Sequence, residues 1–505
     1  MHFKFFVLTC AIIASAWNGP IVQAQYGQVK PCPEELRAGF DSINQADSKE
    51  ILTTLAGPEL AGRGTGQHGY LKAAEFVASK LAELGLEPVG ANATNSSSSP
   101  TEARAFLHYV PLQQRSAIVE HCSITAVGKL SIPAKGNIGF DSYSESTQVD
   151  GRLIFINCPS GKFRFPQGTD LRGSVVFYQV DEDNFTYAQR KMEQYRALAA
   201  FRIIDHAPIS VSQILTERSL REPVTGSIIK PAAQAMLKSL GHALPREMRK
   251  ARNADVTYTN TNVTISNPTR QSQIMVPNVV ALLPGRDPNL RHEFVVLGAH
   301  LDHLGVGSGT TFFGADDNGS GSTAVLNIAR AMVTNPVKPK RSVLLTWFTA
   351  EEHGLLGSEY YCNNPTLPHS NMACMLNIDM VGRNEASRKE TAEENEGSIH
   401  LVGSTKGGTS LHQAIMKANE HVGFRFEYDE ESVFTRSDQY NFFRHGVEVA
   451  FLFGGFHPDY HEDSDSIDKI NFKKVVSASR LYYLATFNAA EHGRFPAIVT
   501  EPAQR

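Results

Sequence analysis

The stretch Phe294-Val-Val-Leu-Gly-Ala-His-Leu-Asp302 indicates how the rest of the chain folds. It begins with four apolar residues, a run of strand length, and it ends in His300 and Asp302, whose side chains can bind a cation. In open α/β sheets, ligands bind outside the carboxyl ends of the strands. This stretch therefore predicts a sheet strand that carries metal-binding side chains at its C-terminal end.

Strand and helix signals alternate along the chain from residue 292 onward. Further apolar runs of strand length are Val343–Phe348, Met375–Ile378, His400–Val402 and Val447–Phe453, and helical spacing covers Ser320–Met332, Leu411–His421 and Phe472–Glu491. Such alternation predicts an α/β fold with a doubly wound sheet of mixed but mostly parallel strands. Residues 385–398 interrupt the alternation, and their composition predicts a solvated insertion.

More acidic and histidine side chains fall at the ends of these predicted strands. Two histidines and at least three carboxylates that converge on one rim indicate a site for two divalent cations, and zinc, cobalt and manganese accept such ligands. A carboxylate such as Asp317 can bridge two ions roughly 3.5 to 4 Å apart, and the pair activates water and polarises a carbonyl. The candidates besides His300 and Asp302 are Asp316, Asp317, Glu351, Glu352, Asp379 and His461.

Each of these motifs alone also has an ordinary structural interpretation. A His-x-Asp pair occurs by chance, Asp316-Asp317-Asn318-Gly319 is typical of a turn or helix cap, and Glu351-Glu352 is typical of a solvated helix start. Asp379 is harder to explain in this way, because an unpaired carboxylate at the end of an apolar strand is costly unless a cation meets it. For all the ordinary interpretations to hold together, several independent coincidences are needed.

Five ordered motifs resemble those of the co-catalytic di-zinc aminopeptidases, a family that includes glutamate carboxypeptidase-like and glutaminyl cyclase-like members. The motifs are Gly298-Ala-His-Leu-Asp302, Gly314-Ala-Asp-Asp-Asn-Gly-Ser-Gly321, Phe348-Thr-Ala-Glu-Glu352, Asn377-Ile-Asp-Met-Val-Gly-Arg383 and Tyr460-His461 followed by Asp465. The earlier stretch Leu60-Ala-Gly-Arg-Gly-Thr-Gly66 is also similar to the family. The resemblance implies a zinc exopeptidase fold that binds two zinc ions per chain.

The resemblance further implies a role for each candidate ligand. Asp317 bridges the two ions, His300 and Asp379 complete one site, and Glu352 and His461 complete the other. It also implies that the peptide bond between Asp317 and Asn318 is cis, a rare state outside proline.

The same resemblance implies the remaining catalytic roles. Glu351 is the general base, since it cannot share the direction of Glu352 and faces the reacting water instead. Asp302 and Asp465 orient the imidazoles of His300 and His461.

The neighbours of these motifs leave several alternatives open. Some relatives have Ser-Asp-His where this chain has Ser437-Asp438-Gln439-Tyr440, so Asp438 and Tyr440 are candidate pocket residues, with core packing as the alternative for Tyr440. His303 and His457 are interpreted as neighbours of the site, because the ligand set is complete without them. Arg383 faces either a substrate carboxylate or a structural ion-pair partner.

Residues 115–265 lack the clustered histidines and carboxylates, and their short β-rich runs indicate an inserted module. Leu171-Arg-Gly-Ser-Val-Val and Ala197–Ile204 resemble a protease-associated domain, which implies a lid or an aid to substrate selection. We therefore expect a signal peptide at 1–24, an N-terminal part of the peptidase domain at 25–114, the insert at 115–265 and the di-zinc peptidase domain at 266–505.

The segment before the insert predicts one helix and one surface loop. Leu71, Ala74, Ala78, Leu81 and Leu84 share a helical stripe, and Gly85 is a plausible C-terminal cap. Residues 87–104 form a low-complexity loop, in which Asn92 and Asn95 are glycosylation sequons in a eukaryotic secretory pathway.

Composition and the N-terminus limit the partners of the chain. The 505 residues, 41% apolar and 20% charged, are typical of a globular protein of two or three domains. A net charge of −4 leaves no basic excess for a phosphate backbone, so a nucleic-acid partner is not expected.

The N-terminal apolar run Phe5–Ala16 is too short to be a membrane span, which needs roughly 20 residues. Followed by Ile21-Val-Gln-Ala24, it predicts a signal peptide cut after Ala24 and hence a secreted or periplasmic protein, with a buried N-terminal helix as the alternative.

Six cysteines are present, of which Cys10 belongs to the predicted signal peptide. The absence of a Cys-x-x-Cys pair argues against a structural zinc site. An exported chain can pair two or four of the remaining five, and Cys362 and Cys374 are the closest in sequence, but the connectivity stays open.

The sequence therefore predicts a secreted metallo-aminopeptidase that acts on peptides with a free N-terminus. The alternatives are a glutamate carboxypeptidase-like enzyme, which needs an arginine cluster, a glutaminyl cyclase-like enzyme, which needs one zinc ion, and a non-catalytic protein similar to the transferrin receptor. The full ligand set argues against the last two, and Arg383 alone is too little for the first. Side-chain preference and oligomeric state stay open.

Overall fold

The computed structural model describes residues 29–90, 103–143, 148–180, 185–216, 223–245, 251–307, 309–386, 391–493 and 495. The predicted signal peptide at 1–24 and the sequons at Asn92 and Asn95 lie outside these ranges. Within the described ranges, every helix is too short or too polar to cross a membrane.

The described residues form ten α-helices and twenty β-strands. The helices are α1 (Arg37–Ser42), α2 (Gln45–Leu55), α3 (His68–Glu83), α4 (Phe185–Gln194), α5 (Lys230–Ser239), α6 (Gly321–Thr334), α7 (Leu356–Asn363), α8 (Ser410–Asn419), α9 (Gln439–Arg444) and α10 (Phe472–Glu491). The strands are β1 (Glu87–Pro88), β2 (Leu107–Ala117), β3 (Ser123–Ala126), β4 (Leu130–Pro133), β5 (Ile138–Phe140), β6 (Gln148–Asn157), β7 (Ser174–Gln179), β8 (Ala199–Ile204), β9 (Gln213–Ile214), β10 (Val224–Ile229), β11 (Asp255–Ser266), β12 (Thr269–Leu283), β13 (Phe294–His300), β14 (Gly305–Gly307), β15 (Thr310–Phe312), β16 (Ser342–Phe348), β17 (Met372–Asp379), β18 (Ser398–Val402), β19 (Arg425–Glu427) and β20 (Glu448–Phe453).

A ten-stranded mixed sheet carries the predicted metal-binding motifs. Its strand order is β19-β18-β20-β17-β13-β16-β12-β2-β9, and β1 pairs separately with β12. The central pairs β16–β13, β13–β17 and β17–β20 are parallel, as is β18–β19, whereas β18–β20 and the pairs from β16 to β9 are antiparallel. The predicted α/β fold with a mixed sheet is confirmed, but its strands are not mostly parallel, since five of the nine strand pairs are antiparallel. The parallel pairs are concentrated at the centre, where helices α6 and α7 provide the crossovers that parallel strands need.

Both faces of this sheet are covered, which explains the continuous apolar run of β13. Val295, Leu297 and Ala299 belong to the core cluster that includes α6 and α10, while Phe294 and Val296 belong to the opposite cluster, with residues of α7 and α9. Strands buried on both faces are expected to be apolar throughout.

Helix α3 forms where the sequence predicts it, with one error in its apolar stripe. Leu71 is 38% exposed, and the buried face is formed instead by Tyr70, Ala74, Val77 and Leu81, among others. Gly85 follows the helix with a φ of +69°, as expected for a C-terminal glycine in the left-handed region.

A separate eight-stranded sheet is built from residues between 123 and 266. Its order is β4-β3-β11-β6-β7-β8-β10-β5, and it has its own apolar core. The long antiparallel strands β2 and β12 lead the chain into and out of this sheet, and β9 returns to pair with β2 at the edge of the large sheet. The boundaries near 115 and 265, and the resemblance to a protease-associated domain, stay predictions.

The segment 385–398 is less solvated than its composition suggests. Glu385 and Asn395 are buried, and Glu385 lies 2.8 Å from the imidazole of His400 on β18. The expectation of a fully solvated insertion is therefore wrong for these two residues.

The five cysteines within the described ranges are all free thiols. Cys362 lies on α7 and Cys374 on β17, and these two cysteines, the closest in sequence, do not form a disulfide. Cys10 lies outside the described ranges.

Candidate active site

The predicted ligands meet at one edge of the large sheet. His300 is the last residue of β13 and Asp379 the last of β17, while Glu351 and Glu352 follow β16 and His461 follows β20. These four strands run parallel to one another, so their carboxyl ends lie at the same edge of the sheet.

Potential ligand atoms form two adjacent groups. In the first, atoms of His300, Glu351 and Asp379 lie within 4.8 Å of one another, and His300 Nε2 is 3.2 Å from Asp379 Oδ1. The second contains Asp317 and Glu352 with His303, and His461 Nε2 approaches Glu352 Oε2 at 3.1 Å.

Asp317 lies between the two groups. Its Oδ1 is 3.4 Å from His300 Nε2, and its Oδ2 is 3.0 Å from His461 Nε2. One carboxylate thus faces an imidazole of each group, which is the placement needed to share two cations. Nitrogen and oxygen donors of this kind fit zinc.

The site concentrates carboxylates that repel one another unless a positive charge is present. Burial alone would lower the pKa of His461, but Glu352 and Asp317 outweigh burial and raise that pKa to about 11. Burial raises the pKa of Glu351 well above its ordinary value, and Glu352 and Asp379 add to the rise while His300 opposes it. A carboxyl group whose pKa is raised in this way is a candidate for proton transfer in catalysis.

The loop that carries Asp317 is held by hydrogen bonds of the Asn318 side chain. The peptide bond between Asp317 and Asn318 is cis, as the resemblance implies. The side chain of Asn318 donates to the carbonyl of Ile378 and accepts from the amide of Gly321. This amide group therefore ties the loop to the end of β17.

Asp465 supports that same loop, which differs from the expected role. Its carboxylate accepts from the backbone amides of Asp316 and Asp317, each at 3.0 Å. The expectation that Asp465 orients His461 is therefore wrong, because its oxygens are directed at the backbone beside the bridging carboxylate.

Asp302 acts on two site residues through different atoms. Its backbone carbonyl accepts from Nδ1 of His300 at 3.1 Å, while its Oδ1 accepts from the backbone amide of Glu351 at 3.1 Å. The hydroxyl of Thr65 donates to the other carboxylate oxygen at 2.8 Å. Asp302 thus contacts His300 mainly through its main chain, and its carboxylate holds the start of the Glu351 loop.

The other residues that the sequence places near the motifs, His303, His457 and Arg383, contact different partners. His303 Nδ1 lies 2.8 Å from Glu352 Oε1, so this histidine contacts the ligand cluster directly. His457 instead pairs with Asp316, at 3.2 Å. Arg383 forms a 3.0 Å ion pair with Asp459, which favours the structural alternative for this arginine.

Asp438 and Tyr440 lie beside the site with different surroundings. Asp438 is fully buried, and burial raises its pKa to about 7 against the opposing effect of His300. Tyr440 packs edge-on against the ring of Phe434, in agreement with the packing alternative.

Two supports of the site were missed in the sequence. Arg63 is fully buried and donates to four backbone carbonyls, two of which, those of Leu301 and Gly314, belong to the site loops. Ser437 donates to Asp379 Oδ2 at 2.9 Å. The sequence offered a signal for both residues, since Arg63 lies in the family-like stretch Leu60–Gly66 and Ser437 begins the motif that differs from the Ser-Asp-His of some relatives. It gave no indication of the groups that these two side chains contact.

A small cavity of about 40 Å³ opens beside the ligands. Its walls combine the ligand side chains with an apolar set, and Tyr460 and Arg436 also line it. The hydroxyl of Tyr460 accepts from Arg436 at 3.1 Å, and its ring stacks on that of His461. The apolar set consists of Met380, Val433, Phe451, Phe453 and Phe456.

Part of the chain matches a known peptidase family. Residues 278–485, which contain all five motifs, match the model of peptidase family M28. The resemblance to zinc aminopeptidases inferred from those motifs is thereby confirmed.

Curated relatives match only part of the chain. Leupeptin-inactivating enzyme 1 of Streptomyces exfoliatus is 41% identical over 106 residues, which are 21% of this chain and 22% of that protein. Leucine aminopeptidase 2 of Trichophyton rubrum is 30% identical over 216 residues, 38% of this chain and 41% of the relative. The chain thus spans less than half the length of these relatives.

Two solved structures share the fold across almost the whole chain. An aminopeptidase from Aneurinibacillus sp. strain AM-1 has a TM-score of 0.51 at 18% identity and covers 92% of this chain and 98% of its own. A peptidase M28 precursor from Shewanella amazonensis SB2B has a TM-score of 0.53 at 17% identity, with coverage of 92% and 99%. At such identities the likeness establishes the fold alone.

Proposed function

We propose that the chain is a secreted aminopeptidase that uses two zinc ions to remove N-terminal residues from peptides. The observation that carries this proposal is Asp317, whose two oxygens face His300 and His461 beside the carboxylate of Glu351. Support comes from relatives named leucine aminopeptidases and from a structural neighbour of TM-score 0.51 described as a zinc aminopeptidase from Bacillus subtilis.

The donor set indicates which residues would hold the ions. His300 and Asp379 would bind one zinc, Glu352 and His461 the other, and Asp317 both. Bound zinc would polarise the scissile carbonyl and lower the pKa of a coordinated water.

The protein's own groups supply the proton transfer. Glu351 lines the cavity with the ligands, and it takes a proton from the attacking water and returns that proton to the leaving amine. The carboxylate of Asp302 holds the backbone amide of Glu351 and so fixes the base. The hydroxyl of Tyr460, which accepts from Arg436, keeps its own proton available for the carbonyl oxygen.

The lining of the cavity argues against a site for a C-terminal carboxylate. Four carboxylates line the cavity, namely Asp317, Glu351, Glu352 and Asp379, and they match the four positive charges of the two proposed zinc ions. Among the described residues that line the cavity, Arg436 is the single guanidinium, and Arg383 is occupied by Asp459. The carboxypeptidase alternative, which needs an arginine cluster, is therefore less well supported.

Replacement of the general base tests the proposal. In Glu351→Gln, we expect turnover of aminoacyl arylamides to fall by about 10² to 10⁴-fold, because the amide cannot accept the proton. Zinc content, measured by atomic absorption, should stay at two ions per chain. The matched control is Glu359→Gln on α7, since this carboxylate is 45% exposed and lies outside the cavity.

A panel of aminoacyl arylamides, N-acetylated substrates and peptides with a C-terminal glutamate separates the alternatives. The wild-type enzyme should lose activity on chelation, regain it with zinc, and leave N-acetylated substrates intact. Cleavage restricted to peptides with C-terminal glutamate would instead establish a carboxypeptidase. A near-normal rate in Glu351→Gln would refute the role of this base.

A further inference from the structure

A second cavity of about 280 Å³ extends away from the candidate zinc ligands. His461 lines both this cavity and the smaller one beside the ligands. On one side the wall is helix α4 of the inserted module, with Phe185, Gln189 and Glu193; on the other it includes Phe312 of the β14–β15 hairpin.

Direct contacts hold these walls together. Arg190 on α4 forms a 3.1 Å ion pair with Glu462, the residue after His461. On the hairpin side, Arg202 of β8 donates to the hydroxyl of Thr310, and His206 Nε2 donates to the carbonyl of Gly309 at 3.0 Å. The inserted module is thus attached to both loops that flank the second cavity.

The first cavity leaves little room for more than one residue. It is only about 40 Å³, and Met380, Val433, Phe451, Phe453 and Phe456 form the apolar part of its lining. The rest of a peptide whose N-terminal side chain enters this cavity must lie elsewhere, and the second cavity shares His461 with the first.

The length of the second cavity suits a short extended segment. The lining residues from Phe185 to Glu193 are eight helical steps apart, which is about 12 Å along α4. An extended chain advances about 3.3 Å per residue, so this wall matches roughly three to four peptide residues.

We propose that the second cavity binds the leaving part of the peptide, so that the substrates are oligopeptides whose residues after the scissile bond contact α4. The inference rests on the proposed function. The wall formed by α4 is polar, with Gln189, which donates to Glu193 at 3.3 Å, and Arg190, which pairs with Glu462. These side chains belong to the inserted module rather than to the sheet that carries the ligands.

A series of amidated peptides tests this inference on the wild-type protein. We expect kcat/KM to rise by about tenfold or more from Leu-Gly-amide to Leu-Gly-Gly-Gly-amide and then to level off, as added residues fill the cavity. The amide keeps the C-terminal charge constant along the series. A flat series beside good hydrolysis of a leucyl arylamide would overturn the inference alone, whereas loss of both activities would overturn the proposed function with it.

A cavity-filling variant gives a second test. Gln189→Trp should lower the ratio of tetrapeptide to arylamide kcat/KM by about tenfold, because the indole occupies the space of the leaving residues. The matched control is Gln194→Trp, since Gln194 is exposed on the same helix and does not line this cavity. Equal ratios in the two variants would contradict the inference even if both proteins lost some overall activity.

Discussion

Ser437 shows how a small neutral residue can position a charged one. Its hydroxyl donates to Asp379 and accepts from the side-chain amide of Asn377 at 2.8 Å. The same amide group donates to Gln439 Oε1, and Gln439 in turn donates to the carbonyl of Phe434. Because the hydroxyl oxygen of Ser437 accepts from Asn377, its own proton is directed at Asp379 Oδ2. This hydrogen bond holds the carboxylate of Asp379 in position.

We expect Ser437→Ala to weaken zinc binding by about 10 to 100-fold, because the candidate ligand Asp379 loses the group that orients it. Competition with a chromogenic chelator would measure the affinity. Ser432→Ala is the control, since Ser432 is exposed and donates only to Glu430. Equal zinc affinity in the two variants would show that the hydroxyl does not position the ligand.

At this scale the sequence predicts which side chains come together but not what holds them. His300, Asp379 and His461 could be identified because each follows a strand, and strand ends meet at one edge. The hydrogen-bonded side chains of Asn377 and Gln439 are 62 positions apart in the sequence, and those of Thr65 and Asp302 are 237 positions apart. Such partners follow from tertiary packing, which no local pattern encodes, and the misassigned role of Asp465 has the same origin.

Among the elements, the short 3₁₀ segment Pro58–Arg63 ties the N-terminal region to the site. The Arg63 guanidinium donates to the carbonyls of Leu55, Leu301, Phe313 and Gly314, at distances from 2.6 to 2.9 Å. Burial lowers the pKa of Arg63 to about 10, and the carboxylates of Asp465, Asp317, Asp302 and Glu352 oppose that shift. The segment therefore brings a positive charge beneath an acidic site.

Arg63→Met should lower the free energy of unfolding by about 3 kcal/mol or more, since four buried carbonyls lose their donor. Urea unfolding monitored by circular dichroism would measure the loss. The free energy of unfolding of Arg63→Lys should lie between those of the wild type and Arg63→Met, because lysine keeps the charge but has fewer donors. The control Arg37→Met removes a solvent-exposed ion pair with Glu34 and should cost less than about 1 kcal/mol; similar losses at the two positions would contradict this interpretation.

Element types were predictable where periodicity was strong and the elements were long. The predicted strands and helices of the large sheet all form, and Phe472–Glu491 has the expected bounds. The two-residue strand β9 carries no detectable pattern, and it forms because β2 offers an unpaired edge. Leu71 was wrongly predicted to lie on the buried face of α3. The stripes that contain Leu71 and Tyr70 both have helical spacing, and only tertiary packing determines which of them is buried.

At the scale of the whole molecule, the paired strands β2 and β12 connect the two sheets. A buried histidine lies on β2 within this pairing. His108 on β2 is opposite Asn278 on β12, and His108 Nδ1 accepts from the Asn278 side chain at 3.3 Å. Burial lowers the pKa of His108 to about 4, although the backbone of Asn364 opposes the shift. The imidazole is therefore neutral in the folded protein near neutral pH.

We expect acid to weaken the fold through this residue. The unfolded histidine titrates near 6.5, so the stability is complete above that pH and falls as the pH drops toward 4, by up to about 3 kcal/mol. His108→Gln should flatten the decrease between pH 7 and pH 4.5 in urea unfolding. The exposed His121→Gln serves as control; an unchanged slope in His108→Gln would exclude this histidine as a source of acid sensitivity.

The β2–β12 pairing also constrains the order in which a nascent chain can fold. Residues 107–117 pair with 269–279, and the strands of the eight-stranded sheet lie between them in the sequence. On the ribosome, β2 must wait for its partner while the last strand of the smaller sheet, ending at Ser266, is already complete. Folding of that sheet first shortens the effective loop that the pairing must close, and so reduces its entropic cost. The inserted module is thus expected to fold before the catalytic sheet, although the N-terminal part of that sheet is synthesised earlier.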